Sequence, residues 1–288
     1  MVNERTGPGS DAVAGPAPMP REIIDYYSQA PETERLTVNA DGELEFARTM
    51  EIITRHLPPA PAVVLDVGGG TGVYAAPLAR AGYAVNLLDL IPVHAWQARA
   101  VSRQQAAHPL SGILLGDARA LPWRDECADV VLLLGPLYHL TEREDRLRTL
   151  AEARRVLRPG GVVCAIGVSR FASLMAGLYY NQLEDPEYVP LVEQDLRDGQ
   201  HRNPTPRNYW TTAFFHHPDE LRGEVEAAGF GVAEVAAVEG PQFAVRDLSH
   251  WWNDAHRRAL LLWAIRSVEH EPSLLGLSSH VMVVGRKG

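Results

Sequence analysis

Through the middle of the chain, short apolar runs stop at acids or glycines and are followed by longer stretches of mixed polarity. Val63-Val64-Leu65 runs into Asp66, and Tyr83-Ala84-Val85-Asn86-Leu87-Leu88 into Asp89. Ile113-Leu114-Leu115 runs into Gly116-Asp117, and the long run from Ala128 to Leu134 into Gly135-Pro136. Val162-Val163-Cys164-Ala165-Ile166 is a further run. Runs of this length read as strands, and the segments between them carry helical spacing. Strand alternating with helix implies a parallel sheet with right-handed crossovers.

The flanks read differently. Residues 1–20 are rich in Gly, Pro and Ala without periodicity and are expected to be a disordered tail. A short helix is predicted over Arg21–Tyr27, a break at Pro31, and a second helix from about Gly42 to His56, with Leu44, Ala47, Ile52 and Ile53 on its inner side. Pro58, Pro59 and Pro61 end it. Phe171 to about Arg202 reads as helical. Asn203-Pro204-Thr205-Pro206 breaks it, and Tyr209–Pro218 is short and aromatic. Pro218–Phe230 is amphipathic. Strands are expected near Val232–Val238 and His280–Val284, with a Trp-containing helix through Trp251 and Trp263 between them.

The segment Asp66-Val67-Gly68-Gly69-Gly70-Thr71-Gly72 carries the most chemistry. Glycine belongs where φ must be positive or a ligand must approach the backbone. The spacing G-x-G-x-G differs from the dinucleotide fingerprint G-x-G-x-x-G, which disfavours a NAD-dependent enzyme. Asp89 ends the next strand about twenty residues on, where a Rossmann-like fold holds ribose hydroxyls. Each acid has a plainer alternative as a helix cap or turn residue.

Together with Leu157-Arg158-Pro159-Gly160-Gly161 ahead of a fifth strand, these motifs resemble those of the class I S-adenosylmethionine (SAM) dependent methyltransferases, over roughly residues 60–170. The resemblance implies a Rossmann-like, seven-stranded, mostly parallel α/β sheet flanked by helices, with an N-terminal helical lid and an insert after strand 5. The chain then divides into the tail 1–20, a lid 21–58, a cofactor-binding core 59–170, a substrate-pocket insert 171–216 and a C-terminal part of the core 217–288. It implies that Gly68, Gly70 and Gly72 pass the methionine end and ribose of SAM. Asp66 orients that loop or reaches the amino group through water. Asp89 accepts from the ribose, Asp117 from the adenine amine, and Leu90 and Ala118 line the adenine.

Methyl transfer from a sulfonium needs alignment and exclusion of water more than a nucleophile or a metal. The histidines are scattered and the two cysteines, Cys127 and Cys164, form no metal-ligand spacing, so no metal is expected. If the acceptor is a hydroxyl, His139, just beyond the fourth strand, is the expected catalytic base; its alternative is a cap for the following helix. His216 and His217 lie in the aromatic segment, and either is alternatively structural ahead of Pro218. Tyr26, Tyr27 and Arg35 on the lid, and Tyr179, Tyr180, Tyr209 and Trp210 in the insert, are candidates for the substrate wall.

The net charge is −9, which weighs against simple phosphate-backbone binding, so no nucleic-acid partner is expected. The start Met1-Val2-Asn3-Glu4-Arg5 has no apolar segment of the signal-peptide kind, and no run approaches the ~20 apolar residues of a membrane span. The expectation is a cytoplasmic enzyme methylating an O or N atom of a small molecule, with secondary metabolism as its setting. Its product from the cofactor would be S-adenosylhomocysteine (SAH). The alternatives are a protein of the same fold that binds SAM but catalyses a rearrangement or cyclisation, and a pure binding module. The acceptor and the oligomeric state are not legible.

Overall fold

A computed structural model describes residues 18–29, 35–205, 207 and 209–288. Most of the expected tail, and the break at Pro31, lie outside the described residues.

Two helices come first, α1 (Arg21–Gln29) and α2 (Ala40–His56). The core follows as β1 (Val63–Val67), α3 (Ala75–Arg80), β2 (Ala84–Asp89), α4 (Pro92–Gln104), β3 (Gly112–Leu115), β4 (Ala128–Leu133), α5 (Pro136–His139), α6 (Arg143–Val156) and β5 (Leu157–Ser169). Beyond it come α7 (Ala172–Tyr179), α8 (Val189–Asp198), β6 (Gln200–His201), β7 (Ala213–His216), α9 (Pro218–Ala227), β8 (Phe230–Ala237), α10 (Leu248–Trp252), α11 (Ala255–Val268) and β9 (His280–Lys287).

The sheet runs β3-β2-β1-β4-β5 with all neighbours parallel, then β9 antiparallel to β5, and β8 antiparallel to β9. These seven strands are the predicted ones. Two more belong to the insert. β7 pairs in parallel with the last residues of β5, Val168 with Phe215 and Ser169 with His216, and β6 pairs with β7. The insert thus extends the sheet rather than lying apart from it. Its helical stretch is also broken, because Asn181 takes a left-handed backbone (φ 57°) and Gly199 ends α8 in the same region. The Trp-containing helix is likewise two helices, α10 and α11, the second capped by the Asp254 side chain.

Strand side chains alternate between two apolar layers. Val64, Val130, Leu132, Val162 and Cys164 pack under α2, α3 and α4, through Ile52, Ile53, Leu78 and Ala98. Leu65, Val131, Leu133, Val163 and Ala165 face α6 and α9, through Leu150, Val156, Leu221 and Val225. Cys164 is a buried core residue, and Cys127 is free and half-buried.

The segment expected as one lid divides into two kinds of structure. α2 is built into the core. Its Arg48 is fully buried, donates to Val238 O at 3.1 Å and pairs with Glu51 and Glu269. α1 lies outside that layer, with Ile23 as its single buried residue.

Candidate active site

In an α/β sheet of this kind ligands sit beyond the carboxyl ends of the strands. A cavity of about 480 Å³ occupies that edge, within the range of small-molecule sites. It is continuous from the glycine loop after β1 to the residues that precede β9.

The loop is shaped by its glycines. Gly68 and Gly69 donate to Leu88 O at 2.7 and 3.2 Å, which draws the turn against the end of β2. Gly70 has a φ of 56° and open space where a Cβ would stand, so its backbone faces the cavity bare. At Gly69 a Cβ would meet Asp66 Oδ2 at 2.6 Å. Asp66 is buried against that loop, and neither carboxylate oxygen has a hydrogen-bond partner among the described residues. Its burial, and then the charge of Asp89, push its carboxyl up to about 7. Asp89 closes the opposite side: Oδ2 accepts from Gly70 N and Oδ1 from Ile91 N, each at 2.8 Å. His94 Nδ1 lies 3.3 Å from Asp89 Oδ1.

Gly68, Gly70, Asp66, Asp89, Leu90, Asp117 and Ala118 all line the cavity. Gly72 does not. It faces Leu87, Ala98 and Leu110, so its positive φ (86°) serves the entry into α3 rather than a ligand. Thr71 lines the cavity beside the loop instead. Asp117 reaches the wall already engaged by Arg119, whose backbone N–H and guanidinium donate at 2.7–3.2 Å. Burial opposes ionisation there, but those bonds hold the carboxyl below its usual range. A ligand amine would share it with Arg119.

His139 lines the cavity at the end of α5. Its Nε2 lies 2.8 Å from the Tyr27 hydroxyl and its Nδ1 lies 3.4 Å from Thr212 O. Burial lowers the ring to about 4, so it is neutral near pH 7. The Tyr27 ring stands edge-on to both His139 and His94. Tyr26 and Arg35 also line the cavity, with Arg35 donating to both oxygens of Glu45 at 2.8 and 2.9 Å.

Four expected substrate residues lie elsewhere. Tyr179 packs on Phe243 outside the cavity, and the next residue, Tyr180, lines it; the direction of the last turn of α7 decides between them. Tyr209 donates to Asp185 at 2.5 Å and packs on Tyr188, as a brace within the insert; Trp210, with its φ of 66°, turns to the cavity instead. His216 is buried at the end of β7 with Nε2 3.4 Å from Glu224 of α9, an acid that Arg146 also grips. His217 is the N-cap of α9, in a reciprocal pair with Glu220. The sequence held a signal for that last role: His-Pro-x-Glu at a helix start is a capping pattern.

The cavity's far wall was not foreseen. It carries Asp41 and Glu45 near the start of α2, Glu239 and Gln242 after β8, and Ser279 and His280 at the start of β9. Glu45, Glu239 and His280 present ligand atoms within 4.8 Å of one another. Arg35 holds both oxygens of Glu45, and Glu239 accepts from His280, Ser278 and a backbone N–H. Those bonds occupy the donor set that a cation would need. In a second grouping, Glu234, Glu269 and His270, the two acids are paired with Arg48 and Arg55.

Residues 65–165 match the family described as "Methyltransferase domain". The ubiquinone/menaquinone biosynthesis C-methyltransferase UbiE of Acidiphilium cryptum is 32% identical over 215 residues, covering 73% of this chain and 82% of that protein. The chain belongs to the class I SAM-dependent methyltransferase family. The malonyl-[acyl-carrier protein] O-methyltransferase of Methylococcus capsulatus is 32% identical over 154 residues, half of this chain and 54% of that one. A SAM-dependent methyltransferase structure from Methanosarcina mazei superposes with a TM-score of 0.56 at 16% identity, covering 82% of this chain and 96% of that one, a likeness of fold. The cofactor of this methyltransferase is SAM, and the bare Gly70 backbone and the unpartnered Asp66 carboxylate fit it. No described helix is long and apolar enough to cross a membrane.

Proposed function

We propose that this methyltransferase acts on an O or N atom of a small molecule held at the far end of the same cavity, in a biosynthetic setting such as secondary metabolism. What carries the reading is the continuity of that cavity: one space of about 480 Å³ joins the glycine loop to a wall of Tyr26, Tyr180, Trp210, Phe243, Glu239 and His280. A space of this size suits a cofactor and a small acceptor, and the net charge of −9 argues against polyanionic acceptors.

When bound, SAM supplies an activated methyl group. The protein's part is to hold and align. The loop Gly68–Gly70, with Asp66 beneath it, would receive the amino-acid end, and Asp89, which accepts from Gly70 N, would receive the ribose hydroxyls. Leu90 and Ala118, which line the cavity, would flank the adenine. α1 closes the cavity through Tyr27 and His139 and keeps water from the methyl group. His139 contacts the acceptor as a neutral ring. The Acidiphilium relative is named a C-methyltransferase and the Methylococcus relative an O-methyltransferase, so activated carbon acids belong in the acceptor panel.

Titration calorimetry with SAM, SAH and NAD tests the cofactor end. Transfer of labelled methyl to phenols, amines and 1,3-dicarbonyls, against nucleic acid and basic peptides, tests the acceptor end. Transfer confined to the macromolecules would overturn the proposal.

A further inference from the structure

β9 is antiparallel to its neighbours, so its first residue, not its last, stands at the carboxyl edge of the sheet. His280 pairs with Val168 near the end of β5, and its ring lines the cavity. Its Nδ1 lies 2.6 Å from Glu239 Oε1. The other oxygen of Glu239 accepts from Ser278 Oγ at 2.8 Å and from the His280 N–H at 2.9 Å. Glu239 is only 1% exposed and so held that it can do little but fix the ring and favour the Nδ1–H tautomer. Nε2 has no hydrogen-bond partner among the described residues. An acid that orients a cavity-lining histidine and leaves its second nitrogen without a bond is the arrangement of a positioned general base. His139 is placed less well for that work, because its Nε2 is taken by Tyr27.

We propose that His280, oriented by Glu239, is the catalytic base that removes the acceptor's proton. The inference rests on the reading of a protic small-molecule acceptor in this cavity. As the acceptor oxygen's lone pair takes the methyl group, the O–H proton passes to Nε2. The electron pair of the methyl–sulfur bond leaves with sulfur, giving SAH, and the imidazolium later returns its proton to water. The charged groups facing the ring are Glu239 from the loop after β8, Glu45 from α2 and Arg35 ahead of α2. Burial opposes protonation of His280, but the two acids outweigh it and Arg35 and raise the ring to about 8. The imidazolium formed in the step is therefore well supported, and the base is competent above about pH 8.

Two measurements test this. Diethyl pyrocarbonate acylates neutral, accessible imidazole, and peptide mass spectrometry of the intact native chain saturated with SAH reads each histidine separately. His280 should react with a pH midpoint near 8, and Glu239→Gln should move that midpoint to lower pH. The second measurement is methyl transfer to a pair of phenols, one protonated and one already ionised at the assay pH. His280→Gln should lower kcat for the protonated phenol by about 10²–10⁴-fold, spare the ionised one, and leave SAH affinity unchanged. An unreactive His280, a midpoint indifferent to Glu239, or equal losses with both phenols would overturn the assignment while leaving methyl transfer standing. Wild-type transfer to amines alone would overturn it too, whereas failure to methylate any small-molecule hydroxyl or amine would overturn the acceptor reading on which it rests.

Discussion

Asp66→Asn isolates the charge of one buried carboxyl. Asp66 is 1% exposed, its oxygens have no hydrogen-bond partner among the described residues, and its carboxyl is pushed from 3.8 to about 7 by burial and then by Asp89. A folded-state pKa above the unfolded one means that folding favours the neutral form. Its contribution is complete below about 3.8 and is lost as pH rises through about 7. At about 1.4 kcal/mol per pH unit, that interval corresponds to a loss of about 4 kcal/mol. Asparagine keeps the shape and cannot ionise, so its stability curve lacks this loss. Urea denaturation of both proteins without cofactor, near pH 5 and near pH 8.5, reads the difference. The advantage of the variant should widen by about 3 kcal/mol between the two, because at pH 5 the wild type still has about two pH units of the loss ahead of it. Saturating SAH should narrow the gap, since its ammonium gives the carboxylate a partner. Parallel curves would refute the reasoning, by showing that the carboxylate is hydrated in the empty cavity.

Asp89→Ala should weaken SAM binding about tenfold or more by calorimetry, because charge-assisted hydrogen bonds are worth roughly 1.5–3 kcal/mol each; an unchanged Kd would make Asp89 a turn residue. Hydrogen exchange in α1 should slow on SAH binding while α2, with its buried Ile52 and Ile53, should change little; slowing across both helices would show that they move together. His139→Ala should lower turnover with SAM affinity nearly intact and leave the rise of rate through about pH 8 in place, since the His139 ring is already neutral above about 4. Glu224→Gln breaks a buried ion pair with Arg146 and should destabilise by about 3 kcal/mol at neutral pH, read by urea unfolding, without altering SAM affinity.

The core was legible because its strands are buried on both faces and its turns announce themselves. Runs such as Val130–Leu133 leave little choice of element, and Gly68 and Gly70 with Asp66 and Asp89 line the cavity at the strand ends. The far wall of the cavity was not. Glu239 and His280 lie 41 residues apart in sequence and meet only because an antiparallel strand brings its first residue to the carboxyl edge. No local spacing records that. Tyr179 against Tyr180, and Tyr209 against Trp210, differ by one position, and the choice depended on helix phase and on a left-handed backbone at Trp210. The two readings of His216 could not be separated in the sequence, because a histidine among aromatics looks the same whether it faces a cavity or, as here, is buried against Glu224 of α9.

The arginine buried in α2 sets where this protein can be recombined. Arg48 links a helix near the start of the chain to Val238 O and to Glu269 after α11, and Arg55 reaches Glu234 and Glu269 beside it. A chimera whose imported α2 lacked Arg48 and Arg55 would strand these acids, or bury a new side chain against them, unless the donor's C-terminal third came with it. A junction just ahead of Asn39 avoids the problem. It would exchange Tyr26, Tyr27 and Arg35, which line the cavity, and leave the buried guanidinium with its own partners, so an altered acceptor preference could be sought there without dismantling the scaffold.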